Sequence, residues 1–277
     1  MKRYRGCIRW SAMFAALALL AACQREGAAP SAGPEAIGPE VEQAEAGVAP
    51  ELKDVVETDR RFIIGITYPP EANKYPGMAL ELHRYVQAAR ADLMEAVEDA
   101  PVDGSAGPYE LSLVFETVAD SPRVFAMSAN GYSYTGGAHG APLVARFVWL
   151  PEQQRALRIG ELLQGPGAWA DLSSHVREQL HAALSQRVDA DDLDPAERGR
   201  VMRAAGRMID EGTAAEADNF STFEPVLGQD GRIVALRFVF APYQVGPYSD
   251  GEQRAEVPAA VLLPHVSEAY RELFAGS

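Results

Sequence analysis

The spacing of apolar residues changes along the chain, and each spacing predicts a different element. From Phe62 to Tyr68 the side chains alternate between two faces, which is typical of a strand, and Pro69-Pro70 ends it. From Pro76 to Ala100 apolar residues recur every three or four positions, which predicts an amphipathic helix. The same spacing predicts a second helix over residues 169–188.

Alternation returns in several segments between and after these helices. Three strands are predicted over Tyr109–Val118, Arg123–Tyr134 and Leu143–Leu150. A hairpin is predicted to join Phe220–Leu227 to Arg232–Ala241 through a turn at residues 228–231. The last strand is apolar on both faces except at Arg237, which predicts a central strand covered on both sides.

Two further helices complete the pattern. Asp194-Pro195-Ala196-Glu197 combines a capping side chain, a proline at the first helical position and a glutamate, which marks a helix start. A short helix is predicted over Ala259–Phe274, bent or split at Pro264. Strands occur in runs and do not alternate regularly with helices. This order of elements predicts an α+β fold, with a mainly antiparallel sheet packed against amphipathic helices. We expect two lobes, a smaller one over residues 54–120 and a C-terminal domain over 121–277.

The chain begins with a segment typical of bacterial export. Four cations precede an apolar run of roughly 13 residues, shorter than the ~20 that a membrane-spanning helix needs. The run ends in Leu20-Ala21-Ala22-Cys23, which is a lipobox, so we expect residues 1–22 to be cleaved and Cys23 to carry an acyl (palmitate-type) anchor. Gln24 favours the outer membrane, facing the periplasm. Residues 23–53, rich in Ala, Gly, Pro and Glu, are predicted to form a disordered tether.

Charge and cysteine content narrow the possible partners. The formal net charge is −14, and the signal contains four of the 25 basic residues and none of the 39 acidic ones, which leaves a mature chain near −18. This balance argues against nucleic acid and against adhesion to an anionic bilayer, and it favours basic partners. Once Cys7 is removed and Cys23 is acylated, no thiol remains for a disulfide, a metal site or a nucleophile.

A glycine-rich segment with aromatic residues follows the predicted strand that ends at Tyr134. The candidate binding residues are Tyr132, Tyr134, Thr135, Gly136, Gly137 and His139. Closely spaced glycines mark a tight connection with positive φ angles. The segment is either a recognition loop that meets a partner or a hairpin turn in which His139 bonds the loop to the sheet.

A second irregular segment, Ala241–Gly251, follows the predicted central strand. Its candidates are Tyr243, Tyr248 and Asp250. Tyrosines offer flat contact area at a low entropic cost, as binding surfaces require. Alternatively, both rings pack the loop onto the core.

These segments carry a family resemblance. Tyr-Thr-Gly-Gly-Ala-His at 134–139, Arg-Ile-Gly-Glu-Leu-Leu at 158–163 and the segment 240–251 resemble the extracytoplasmic domain, of unknown function, of the lysozyme-sensing anti-sigma factor RsiV and the peptidoglycan deacetylase PdaC. The resemblance covers residues 132–273, and residues 54–120 resemble the smaller domain before it. It implies a two-lobed α+β module that binds something in the cell envelope. In the anti-sigma factor this module binds lysozyme.

Other chemistries have weaker support. A serine hydrolase would need a Gly-x-Ser-x-Gly turn, which is absent, although Ser133, His139 and Asp250 could meet. His175 and His181 are six residues apart on a predicted helix and face different sides, and there is no His-Glu-x-x-His, so no metal and no cofactor are expected. The acidic run at residues 189–194 lacks the glycine and one oxygen ligand of a calcium loop, and it is interpreted as a solvated loop.

The sequence therefore predicts a lipoprotein that binds without catalysis. The expected partner is a cell-envelope component, peptidoglycan included, or a basic envelope-active protein such as lysozyme. Two alternatives stay open: an enzyme acting on peptidoglycan or another glycan, with carboxylates around His139, and a structural envelope component without a discrete ligand.

Overall fold

Six strands form the larger of two sheets in the computed structural model, which describes residues 49–101 and 107–277. They lie side by side in chain order as β1 (Val55–Thr58), β2 (Phe62–Thr67), β3 (Tyr109–Asp120), β4 (Phe125–Tyr134), β5 (Ala141–Leu150) and β6 (Arg155–Ala156). Strands β2 and β3 are parallel, and every other neighbouring pair is antiparallel. The parallel pair needs a crossover connection, which a long helix supplies.

Within residues 49–101 and 107–277, five α-helices accompany the strands. They are α1 (Pro76–Asp99), α2 (Ile159–Leu162), α3 (Ala168–Ala190), α4 (Pro195–Gly212) and α5 (Ala259–Leu262). Helix α1 is the crossover between β2 and β3. The carboxylate of Asp194 caps α4 by accepting hydrogen bonds from the backbone N–H groups of Ala196 and Glu197, so the start of this helix is confirmed. Short 3₁₀ turns lie at 70–73, 217–220, 248–250 and 268–273.

The smaller sheet has three antiparallel strands, β7 (Phe223–Leu227), β8 (Ile233–Phe240) and β9 (Gln253–Pro258), with β8 in the centre. Most side chains of β8 are buried on both faces, as expected, but Val234 is exposed. Phe220, predicted to begin the hairpin strand, lies instead in a 3₁₀ turn, where its ring is fully buried.

The two faces of the large sheet are covered by different layers. Along β4, Phe125 and Met127 point into a core shared with α1. Val124 and Ala126, on the alternate face, join a core formed with the small sheet and α3. Alternation along one strand therefore supplies two hydrophobic cores.

The fold class is confirmed as α+β with mainly antiparallel sheets, and helices α1, α3 and α4 are where the sequence predicts them. Strands β1, β6 and β9 were not predicted. The expected boundary after residue 120 falls in the turn between β3 and β4, which pair along most of their length, so the sheet runs across it. Contacts make Gly47–Ser277 one compact unit.

Some expectations fall outside the described residues. These are the signal at residues 1–22, the lipid on Cys23 and the tether as far as residue 48. Within residues 49–101 and 107–277, no helix is both long enough and apolar enough to cross a membrane.

Candidate functional site

Three aromatic rings from two distant loops meet at the surface, and we call His139, Tyr243 and Tyr248 the ring cluster. The imidazole of His139 stacks on the Tyr248 ring, with ring centres 4.0 Å apart and planes 15° from parallel. The hydroxyl of Tyr243 lies 2.9 Å from Nε2 of His139, and the two tyrosine ring centres are 5.7 Å apart. Tyr243 is 52% exposed and Tyr248 36%. The cluster is therefore an accessible aromatic surface.

The hydrogen bonds of His139 define its neutral tautomer. Nδ1 lies 3.2 Å from the carbonyl oxygen of Gly140, which can only accept, so Nδ1 carries the proton. In the neutral ring Nε2 then accepts a hydrogen bond from the hydroxyl of Tyr243. Among the described residues, the hydrogen-bond partners of this ring are thus a carbonyl and a phenol, and no carboxylate is among them. The imidazole is held in a fixed orientation that joins the two loops.

Tyr243 has a strained backbone. Its φ angle is +76°, a region that bulky side chains rarely occupy. The strained turn is held by a hydrogen bond from the backbone N–H of Tyr243 to the carbonyl of Gly246, and by one from Gln244 N–H to Ala241. Such outliers cost of order 1–3 kcal/mol and cluster at binding and catalytic sites. The conformation keeps the ring of Tyr243 beside His139 instead of in the core.

The glycine loop, residues 135–140, has the local geometry that its composition predicts. Gly136 and Gly137 have φ angles of +103° and +96°, and Thr135 beside them is exposed. The hydroxyl of Tyr134 donates to the carbonyl of Gly137. Gly140 lies against the ring of Tyr132, where a Cβ atom would be 2.8 Å from the ring edge.

Tyr132 lies against Gly140, the residue that follows His139 of the ring cluster. Its hydroxyl donates to the Glu110 carboxylate, a bond that raises the pKa of the phenol. The ring remains 37% exposed.

The tyrosine loop, residues 241–251, is anchored to the helices. The side-chain amide of Gln244 donates to the carbonyls of Gly212 and Asn219. Asp250, a candidate binding residue, pairs with Arg187 of α3 at 2.7 Å, and its side chain is 14% exposed. This pair holds the end of the loop to α3, and the hydrogen bonds of His139 in the ring cluster do not involve Asp250.

Gly212→Ala is expected to displace the tyrosine loop. A Cβ atom at this last residue of α4 would overlap the carbonyl oxygen of Gln244 and lie 2.9 Å from Val245. We expect the free energy of unfolding to fall by about 1–3 kcal/mol. The ring-proton NMR signals of His139 should also move toward unstacked values. Gly160→Ala, at a helical glycine with open space around it, should change neither quantity.

A buried ion-pair network, which sequence reasoning missed, lies beneath the site. Arg146 of β5 donates to Glu224 of β7 at 2.8 Å and to Glu252 at 3.1 Å, and its side chain is 1% exposed. Glu224 is also paired with Arg237 of β8 at 2.8 Å. Since Glu252 directly follows the tyrosine loop, Arg146 ties the end of that loop to the large sheet.

The sequence contained a signal for this network. Arg146, Glu224 and Arg237 are single charges within otherwise apolar strands, and their signs are complementary. A charge in such a strand is tolerated when an opposite charge lies close by. Pairing the three charges by sign predicts that their strands lie together, which an interruption at Arg237 alone does not.

The residues considered for a hydrolase, a metal site and a calcium loop have other contacts among the described residues. Ser133 and Asp250 contribute no hydrogen bond to His139 among the described residues. Within those residues, no group of three or more His, Cys, Asp or Glu side chains could hold a metal ion. His181 bonds Asp210, and Asp194 of the acidic run caps α4.

Comparisons with known proteins give structural neighbours only. No family profile matches the chain, and no curated protein matches it. A crystal structure of a DUF3298 family protein from Pseudomonas aeruginosa has a TM-score of 0.50 and 13% identity, covering 81% of this chain and 96% of that one. A DUF3298 family member from Bacteroides fragilis has a TM-score of 0.48 and 17% identity, covering 79% and 93%. At this identity, the likeness to the Pseudomonas protein bears on the fold alone.

Proposed function

We propose that this chain is a lipid-anchored, periplasm-facing module that binds a cell-envelope component or a basic envelope-active protein such as lysozyme, without catalysing a reaction itself. The observation that carries the proposal is the ring cluster. It joins His139, Tyr243 and Tyr248 in one exposed surface although the loops are about a hundred residues apart. The anchor at Cys23 and the outer-membrane location are proposed from the lipobox and Gln24.

The form of the cluster suits binding. Tyrosine rings supply large contact area with few rotatable bonds, so ordering them on binding costs little entropy. The stacked imidazole and the strained backbone of Tyr243 fix the rings before a partner arrives. Preorganisation of this kind raises affinity because less freedom is lost in the complex.

Charge and resemblance support a cationic partner. The net charge of the mature chain, near −18, attracts a strongly basic protein and speeds productive encounters at low salt. The loop motifs resemble those of the extracytoplasmic domain of RsiV and PdaC, and that domain binds lysozyme in the anti-sigma factor. The DUF3298 family protein from Pseudomonas aeruginosa shares the fold of this chain.

Calorimetry with hen lysozyme tests the proposal. We expect the chain from residue 23, carrying Cys23→Ser, to bind lysozyme at low ionic strength and to lose affinity as salt rises. Tyr243→Ala combined with Tyr248→Ala should weaken binding at least tenfold, because centrally placed tyrosines are frequent hot spots.

His139→Ala should also weaken binding, whereas His175→Ala, at a half-buried histidine of α3, should not. The absence of a complex at low ionic strength would rule out lysozyme as the partner. Equal binding by the wild type and the double tyrosine variant would rule out the ring cluster as the site.

A further inference from the structure

Exposed apolar side chains of the large sheet collect on the face opposite α1. Val56 is 84% exposed, Val114 44% and Ile63 37%. Their neighbours along each strand, such as Ile64, Leu113 and Phe115, point into the core that α1 covers. Strand alternation therefore places the exposed residues together on the other face.

The register of the strands makes this a continuous surface, which we call the open face. Its three rows across the strands are Thr58-Ile63-Glu110-Tyr134, Val56-Gly65-Ser112-Tyr132-Pro142 and Thr67-Val114-Asn130-Val144. The middle row has a depression at Gly65, which we call the shallow centre, because Gly65 has no side chain and open space lies around it.

The small sheet covers the part of the large sheet that lies beyond these three rows. The next row across the strands is Glu116-Ser128-Arg146. Arg146 pairs with Glu224 of β7, so β7 lies over this end of the row. The uncovered rows lead directly to the glycine loop, since Tyr132 packs against Gly140. The open face and the ring cluster are thus continuous.

We propose that the open face is the main docking surface for a cationic protein whose apolar side chain enters the shallow centre while the ring cluster holds its edge. This inference rests on the proposed function and names the class of partner and the rest of its footprint. The three rows contain one carboxylate, Glu110, and no Lys or Arg. A surface that combines exposed apolar side chains with an acidic one, on a mature chain of charge near −18, is complementary to a basic protein.

Charge argues against two other possible occupants of the open face, a second copy of the chain and the chain's own residues 24–48. A second copy would bring together two Glu110 carboxylates and two strongly negative chains. The chain's own residues 24–48 contain five glutamates and one arginine, so they carry the same sign as the face. Neither is complementary in charge to it.

Two substitutions on the open face provide the test. Val56→Lys with Val114→Lys introduces cations at exposed sites, and we expect at least tenfold weaker binding to hen lysozyme. Val234→Lys is the matched control, because Val234 is 38% exposed on the small sheet, and it should bind like the wild type. Thermal unfolding of each variant checks that the fold is kept.

The outcomes separate this inference from the proposed function. If Tyr243→Ala with Tyr248→Ala abolishes binding while the open-face variant binds normally, the ring cluster is the whole site and the inference is overturned. If wild type itself forms no complex, both fall. If wild type is a dimer that the open-face variant dissociates, or if removing residues 24–48 tightens lysozyme binding tenfold, the face belongs to a second copy or to the tether, and the inference is again overturned.

Discussion

Replacing Glu224 by glutamine is expected to lower the free energy of unfolding by about 3 kcal/mol, because Arg146, whose side chain is 1% exposed, then keeps only Glu252 as a charged partner. Glu224 lies between Arg146 and Arg237, with both guanidinium groups 2.8 Å from its carboxylate oxygens. Glutamine keeps the volume but removes the negative charge, so the two cations would then face each other. Urea denaturation with an unchanged m-value measures the loss.

Glu256→Gln is the matched control for this experiment. Glu256 also pairs with Arg237, but its side chain is 49% exposed, so we expect a loss of at most about 1 kcal/mol. Adding Arg146→Met to Glu224→Gln should cost less than the sum of the separate losses, since the buried cation that lost a partner is then removed as well. Equal losses for the two glutamine variants would contradict the account of a buried network.

Gly131→Ala is expected to lower the free energy of unfolding by about 3 kcal/mol or more, since it overpacks a site closed by backbone. A Cβ atom at Gly131 would overlap the carbonyl oxygen of Ser112 and lie 2.8 Å from its carbonyl carbon. Both atoms belong to the neighbouring strand β3, which cannot move without breaking its ladder with β4. Chemical denaturation again supplies the measurement.

Gly65→Ala separates this steric effect from the general effect of a strand glycine. Gly65 lies in the same sheet, but a Cβ atom there would meet nothing within 4 Å. Alanine should therefore be neutral or stabilise by up to about 1 kcal/mol, because glycine loses more backbone entropy on folding. A Gly131→Ala variant as stable as Gly65→Ala would show that β3 and β4 are less closely packed there.

The helices could be predicted from the sequence because each has a local signal. Apolar spacing marks α1 and α3, and Asp194-Pro195 marks the start of α4. Strand β9 has only a short local signal, since Ala255 and Val257 are its only apolar residues at alternate positions, and the strand gains its place by pairing with β8. The parallel pairing of β2 with β3 is likewise decided by the crossover of α1, which no local pattern reports.

Part of the candidate site was predictable because its two loops, like the helices, have local sequence signals. Glycines and tyrosines identified both loops, and the structure brings His139, Tyr243 and Tyr248 together. The loop position made Asp250 a candidate for binding, whereas its ion pair with Arg187, on a helix more than sixty residues earlier, has no signal in the local sequence. The open face was missed because exposure of Val56 and Val114 depends on where the small sheet ends, which is a tertiary property.

Hydrogen exchange of the chain with and without saturating hen lysozyme tests the central claim most directly. The account predicts that residues 132–140 and 241–251 are protected together on binding, with protection extending to β1–β3. Protection confined to α3 and α4, or no protection in either loop, would contradict the claim that these two loops form one docking surface.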